Sequence, residues 1–175
     1  MKPTKKLPLF IVSGASGVGK STLCEVLFRE ERDYIVLESD IIWNDVYNTP
    51  EDDYRRYRQT QMKLCANIAQ AGKPVVLCGC ATPKQFEPLE QRGLFMEIHY
   101  LAIVCDEAQL LRQLKKKRGV KAKAWLESSA HFNAWLKENA ALTEPPMQLL
   151  DISGLPTEAA AAQIDQWVHE RMAMT

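Results

Sequence analysis

Residues 14–21 read Gly14-Ala15-Ser16-Gly17-Val18-Gly19-Lys20-Ser21, and they lie between an apolar run and an amphipathic stretch. The run, Leu9-Phe10-Ile11-Val12, has no polar alternation, which is the pattern of a strand covered on both faces. Beyond the loop, Leu23, Val26 and Leu27 fall on one helical stripe. A buried strand that turns through glycines into a helix must belong to a sheet with helices packed against it. Few other local features restrict a fold as much.

The same eight residues meet every constrained position of G-x-x-x-x-G-K-[ST]. Glycine lets the loop curl so that successive backbone N–H groups face a phosphate, and the following helix aims its N-terminus at the same point. Lys20 is placed to bridge the β- and γ-phosphates. The Ser21 hydroxyl, with Thr22 beside it, is placed to reach magnesium. The expected ligand is a nucleoside triphosphate, ATP with Mg2+. The dinucleotide fingerprint fails, because glycines at 14, 17 and 19 do not have G-x-G-x-x-G spacing.

Further strands are expected at Tyr34–Leu37, Pro74–Cys78, Ile98–Val104 and Gln148–Ile152. Between them, Tyr54, Tyr57, Gln61, Leu64 and Ile68 step through a long helix that stops near Gly72, and a short helix is expected around Gln85–Gln91. Asp106 sits where an N-cap belongs, with Gln109 as a capping-box partner. That helix runs through Leu111 and Leu114 into Lys115-Lys116-Lys117-Arg118-Gly119. A further helix carries Trp125, Phe132, Trp135 and Leu136, and a closing one carries Ile164, Trp167 and Val168. Strands alternating with helices predict an α/β chain: a three-layer α/β/α sandwich with a five-stranded parallel sheet, the P-loop NTPase fold. Ligands in such folds bind outside the carboxyl ends of the strands. Residues 1–175 read as one domain, with Pro145-Pro146 as a turn and a lid segment near 112–130.

Composition narrows the partners. Lys+Arg and Asp+Glu are equal at 22 each, which argues against nucleic acid as a partner. The basic start, Met1 to Lys6, precedes an apolar run too short for a signal peptide, and no stretch approaches a membrane span. A soluble, cytoplasmic protein is expected. The five cysteines are scattered through apolar surroundings, unlike a disulfide scaffold. Cys78-Gly79-Cys80 lacks a second Cys/His pair and reads as free thiols rather than a zinc site. His99, His131 and His169 show no ligand spacing, with His99 expected in the core. The tryptophans sit mostly on apolar stripes, where core packing explains them.

A GTPase would need N-K-x-D after a later strand, which the chain lacks; Asp151-Ile152-Ser153-Gly154 matches D-x-x-G but lies too late to act as a switch. Oligomeric AAA-type and transporter ATPases need longer chains with further signatures. The remaining pattern combines an early P-loop, an acidic residue closing strand two, a basic segment after helix 106–117 and a late strand plus helix. It resembles the small kinases of the nucleoside monophosphate kinase superfamily, with their gluconate, shikimate and antibiotic phosphotransferase branches.

That resemblance implies an ATP-dependent phosphotransferase acting on a small-molecule acceptor. A nucleoside or nucleotide is favoured, with a sugar acid or an antibiotic hydroxyl as the alternative. It makes Lys20, Asp40 and Arg118 the catalytic candidates, Asp40 orienting the acceptor hydroxyl and joining Ser21 at the metal. Glu38 and Asp45 are weaker rivals for Asp40, which could also be a solvated helix cap. Arg55 and Arg58, three apart on one helix, would grip an anionic acceptor, unless they form an exposed face balanced by Glu51, Asp52 and Asp53. Arg112 would stack on adenine, and Arg118 would close over the phosphates unless the charge run is only a solvated helix end. The Ile152–Pro156 loop would form the second wall of the adenine pocket. Trp43 could stack on a planar acceptor, with Gly79 and Thr82 at its border. The superfamily's Asp-Gly after strand three is replaced by Cys78-Gly79, which weakens the monophosphate-kinase reading. A monomer or homodimer is expected. A nucleotide-binding regulator or slow ATPase without an acceptor is the rival of another class.

Overall fold

The computed structural model describes residues 6–30 and 32–174, so five of the six residues of the basic start lie outside it. Five strands form one parallel sheet: β1 (Leu9–Ser13), β2 (Ile35–Glu38), β3 (Val75–Gly79), β4 (Ile98–Val104) and β5 (Gln148–Asp151), in the order β2-β3-β1-β4-β5. The helices are α1 (Lys20–Phe28), α2 (Arg55–Ala69), α3 (Glu107–Lys117), α4 (Lys123–Asn139) and α5 (Thr157–Ala173). This is the expected three-layer α/β/α sandwich.

The period-two alternation of the strands sorts their side chains into two cores. Phe10, Val12, Val76, Cys78, Leu101 and Ile103 face a cluster closed by residues of α1, α3 and α5. Leu9, Ile11, Val75, Leu77, Ala102 and Val104 face the other, where α2 supplies Met62 and Cys65 and α4 supplies Leu136. The central strands are apolar at nearly every position because both of their faces are covered.

Local chemistry departs from the sequence expectation in two places. The stretch around Gln85–Gln91 is no α-helix. It forms two 3-10 turns, Pro83–Gln85 and Glu90–Leu94, separated by Pro88, since proline cannot donate to a helical ladder. At α3, Asp106 occupies the N-cap position without a side-chain cap bond. Gln109 Oε1 instead accepts from the Gly154 amide at 3.0 Å, and the Asp106 amide donates to Ser153 Oγ at 2.8 Å. The capping partners are spent joining α3 to the loop after β5.

A buried amide holds α4 to the carboxyl end of β4. Asn133 Nδ2 donates to the Cys105 carbonyl at 2.8 Å, and Asn133 Oδ1 accepts from the Cys105 amide at 3.2 Å. Truncating Asn133 would leave both Cys105 groups unpaired in a buried position, a loss of about 1–3 kcal/mol. Asn133→Ala is expected to lower unfolding stability by that amount in urea titration, with the m-value unchanged.

Candidate active site

The loop after β1 takes the shape its glycines permit. Gly17 (φ 84°) and Gly19 (φ 111°) both lie in the left-handed region, where a residue with a Cβ is strained. A Cβ on Gly17 would also run into the Leu114 side chain, so α3 packs directly beneath the loop. Gly19 is the N-cap of α1, and Lys20, Ser21 and Thr22 form the first turn of that helix. Lys20 reaches back into the loop. Its Nζ donates to the carbonyls of Gly14 at 2.7 Å and Ala15 at 2.8 Å, and lies 3.5 Å from Cys80 Sγ. A cation within a left-handed glycine curl at a helix N-terminus fits a polyphosphate.

Two crossings fix this loop against the end of β3. The Gly14 amide donates to the Gly79 carbonyl at 3.2 Å. The Ser13 hydroxyl, fully buried, donates to the Ala81 carbonyl and accepts from the Ala81 amide at 3.1 Å. Residues 80–82 are thereby held beside the phosphate-binding loop.

Asp40 stands on a 3-10 turn, Ser39–Ile42, that follows β2 directly. Its carboxylate is exposed and accepts from Ser39 Oγ at 3.2 Å. The turn is anchored from α2 by the Tyr57 hydroxyl, which donates to the Ser39 carbonyl at 2.6 Å. Gly79 makes the packing possible, because a Cβ there would collide with the Ser39 side chain.

A cleft of about 1310 Å³ opens at this end of the sheet. Ser16 of the loop, Asp40, Trp43, Arg58, Thr82 and Arg118 all border it. Gly79 lies behind it, with Cys80, Ala81 and Thr82 forming the wall. Arg55 and Arg112 are exposed and do not line it.

Arg55 and Arg58 do not share a face. Tyr54 (φ 60°) is the N-cap of α2; Arg58 lies on the buried stripe of the helix with Gln61, Met62 and Cys65, while Arg55 is exposed. Arg58 is only 5% exposed. Its Nη2 donates to the Cys80 carbonyl at 2.7 Å and to Gln85 Oε1 at 3.3 Å, and its Nη1 to Gln61 Oε1 at 3.2 Å. The guanidinium lies over the Tyr57 and Phe86 rings, a strong arrangement when desolvated. Burial pulls its pKa below the usual arginine value, the neighbouring Tyr57 and Cys80 acting the other way.

The wall contributed by α4 did not stand out in the sequence. Trp125, Ser128, His131 and Trp135 line the cleft, with Trp125 48% exposed. Their spacing matches a core stripe, but the buried residues of the helix are Ser129, Asn133 and Leu136, with Phe132 and Trp135 only partly buried against the core. His99 packs against the Phe10 ring at 5.2 Å, and burial lowers its pKa. Among the described residues, no cluster of three or more His, Cys, Asp or Glu side chains is arranged to hold a metal ion. Nor is any helix there long and apolar enough to cross a membrane.

Of the five cysteines, Cys80 is the exposed one. Burial pushes the Cys65 thiol up to about 12 and Cys105 up to about 11. A hydrogen bond with Cys24, together with burial, raises Cys78 well above the ordinary thiol value. The reactive species is the thiolate, so iodoacetamide on the native protein is expected to label Cys80 alone. Peptide mapping by mass spectrometry reads this directly, and a polyphosphate held at the loop should slow the labelling because Lys20 lies 3.5 Å from the thiol.

Parallel strands, a glycine loop with its lysine between β1 and α1, and a cleft beyond the strand ends define a P-loop nucleotide-binding protein of the small-kinase type of fold. A family profile described as AAA domain matches residues 9–143, and the chain belongs to that P-loop family. The match runs from β1 to just past α4, and so takes in both the loop and the cleft. None of the curated proteins searched matches the chain in sequence.

Several solved structures share the fold. A sugar kinase from Janibacter sp. superposes with a TM-score of 0.66 at 16% identity, over 93% of this chain and 95% of that one. The tunicamycin resistance protein of Deinococcus radiodurans gives 0.62 at 15%, over 94% and 96%. A gluconokinase from Sinorhizobium meliloti gives 0.58 at 15%, over 94% and 97%. At such identities the likeness is one of fold.

Proposed function

We propose that this protein is an ATP-dependent phosphotransferase that moves the γ-phosphoryl group to the hydroxyl of a small molecule bound in the cleft. One observation carries the reading: the loop that cradles Lys20 opens on the same cleft as Asp40. Ser16 and Cys80 are their common border, and Cys80 Sγ is 3.5 Å from Lys20 Nζ. A nucleotide-binding regulator has no need of a cavity of about 1310 Å³ at its phosphate loop.

In this reading Lys20 and the loop amides hold the donor phosphates and neutralise charge that develops in the transition state. Ser21, at the head of α1, and Asp40 are the oxygen donors available to a magnesium ion, which would supply further neutralisation between the phosphates. Asp40 orients the acceptor hydroxyl and takes its proton. The acceptor oxygen bonds to the γ-phosphorus as the bond from that phosphorus to the bridging oxygen breaks, and ADP leaves with the electron pair. Arg118 follows the last turn of α3 and borders the cleft, from where it can close on the transferred group.

An acceptor screen that measures ADP release tests this. Stimulation of turnover by one class of hydroxylated small molecule is the expected result. Flat basal hydrolysis across a broad panel would favour the slow ATPase instead.

A further inference from the structure

Cys80 is the exposed cysteine, and the fold pins it against the phosphate-binding loop. Its Sγ donates to the Gly14 carbonyl at 3.0 Å and lies 3.5 Å from Lys20 Nζ. The backbone on either side of it is held. The Gly14 amide binds the Gly79 carbonyl, Ser13 Oγ binds both backbone groups of Ala81, and Arg58 Nη2 donates to the carbonyl of Cys80 itself at 2.7 Å. A group attached to this sulfur could not be swung away from the loop.

The surroundings select the kind of group. Arg58 is 5% exposed and borders the cleft. Its hydrogen-bond partners are all neutral, and its Nε has none. Arg118 and Lys84, the latter 3.6 Å from Asp53, border the same cleft, against the one lining carboxylate, Asp40. With Lys20 beside the sulfur, a ligand at Cys80 meets an excess of positive charge, which draws anions. The other four cysteines are buried, so an oxidised Cys80 finds no exposed thiol of its own chain. Its disulfide partner must come from outside and fit a cleft of about 1310 Å³.

We propose that Cys80 is a modification site for anionic low-molecular-weight disulfides, such as glutathione disulfide, and that the mixed disulfide closes the donor site. The Cys80 sulfur attacks one sulfur of the ligand. A new S–S bond forms to that half as the original S–S bond breaks. The other half leaves with the electron pair as a thiolate and takes up a proton, while the Cys80 proton passes to solvent. Anionic sulfur in this exchange faces the Lys20 ammonium. The attached group then stands beside Lys20, where the donor phosphates must enter, and a reducing thiol reverses the step. The inference rests on reading the loop as the ATP site and adds control of that site by thiol redox state.

The test titrates ATP with Mg2+ by calorimetry into the reduced protein, before and after treatment with glutathione disulfide. Intact mass and peptide mapping are expected to show a single glutathionyl group, on Cys80. ATP affinity should fall about ten- to a hundredfold, the scale of a lost charge-assisted contact, and dithiothreitol should restore it. Cystamine, a cationic disulfide, should react about tenfold more slowly, the gap narrowing as salt is raised. In Cys80→Ser, or in Cys80→Ala should the serine variant not fold, treatment should leave ATP affinity where it started, whatever that starting value is. Modification elsewhere with Cys80 left free, or undiminished ATP affinity in the Cys80 adduct, would overturn the proposal. Cystamine reacting as fast as glutathione disulfide would remove its anionic preference. Failure of the untreated protein to bind ATP would instead overturn the donor-site reading, and the proposal with it.

Discussion

Lys20→Ala is expected to lower kcat/KM about 10²–10³-fold while leaving the fold in place. The lysine Nζ is bonded only to two carbonyls of its own loop and lies near one thiol, and its side chain is half-buried at the head of α1. Water can replace it at those carbonyls, so the melting temperature should shift by only a few degrees, about 1 kcal/mol or less at this chain length. The transition state has no such substitute. A fixed cation aimed at developing phosphate charge is worth about 3–4 kcal/mol, and ATP affinity should weaken with it. Lys20→Arg keeps the charge but places a planar fork where a compact ammonium sat, so it should recover little. Stopped-time ADP release and ATP titration measure the two parts separately. Wild-type kinetics in Lys20→Ala would show that the loop is not the donor site.

Asp40→Asn carries the second large effect, a fall in kcat of about 10²–10⁴-fold, the range for removing a positioned general base. The substitution is isosteric, and the exposed carboxylate makes no bond to another element beyond that from Ser39 Oγ, so unfolding stability should hardly change. Acceptor KM should move far less than kcat, because asparagine can still hydrogen-bond a hydroxyl but cannot take its proton. Tyr57→Phe provides an independent comparison. It removes the 2.6 Å bond to the Ser39 carbonyl that anchors the Asp40 turn, and should cost about fivefold in kcat for roughly 1 kcal/mol of lost positioning. Full transferase activity in Asp40→Asn would remove Asp40 from the chemistry.

The two arginines of α2 show how tertiary packing alters a reading of spacing. Residues three apart on a helix can share a face, and nothing in Arg55-Arg56-Tyr57-Arg58 says which of them turns inward. That choice is made by the packing of α2, which buries the stripe of Arg58, Gln61, Met62 and Cys65 and leaves Arg55 outside it. The carbonyl of Cys80 then gives one guanidinium a buried partner. Gln109 makes the same point at α3. Its local capping role was plausible until the loop after β5 offered it the Gly154 amide.

The strands, their parallel arrangement between helix layers and the phosphate-binding loop were legible in the residues themselves, but the order β2-β3-β1-β4-β5 was not. Continuous apolar runs report burial on both faces, and a glycine-lysine loop between strand and helix leaves few alternatives. Asp40 is singled out by the resemblance, which expects an acid after the second strand, and strand ends mark the ligand side of such a sheet. The α4 wall could not be read this way. Trp125, His131 and Trp135 have the periodicity of a core-facing stripe, and hydrophobic spacing is the same whether a ring meets a neighbouring helix or an open cleft. Only the docking of Asn133 on the end of β4 turns that face toward Asp40 and leaves its tryptophans half-open. Local sequence determined the donor loop, because its chemistry depends on adjacent residues. The cleft is assembled from segments between Ser16 and Trp135, and only the tertiary structure could decide which side chains face it.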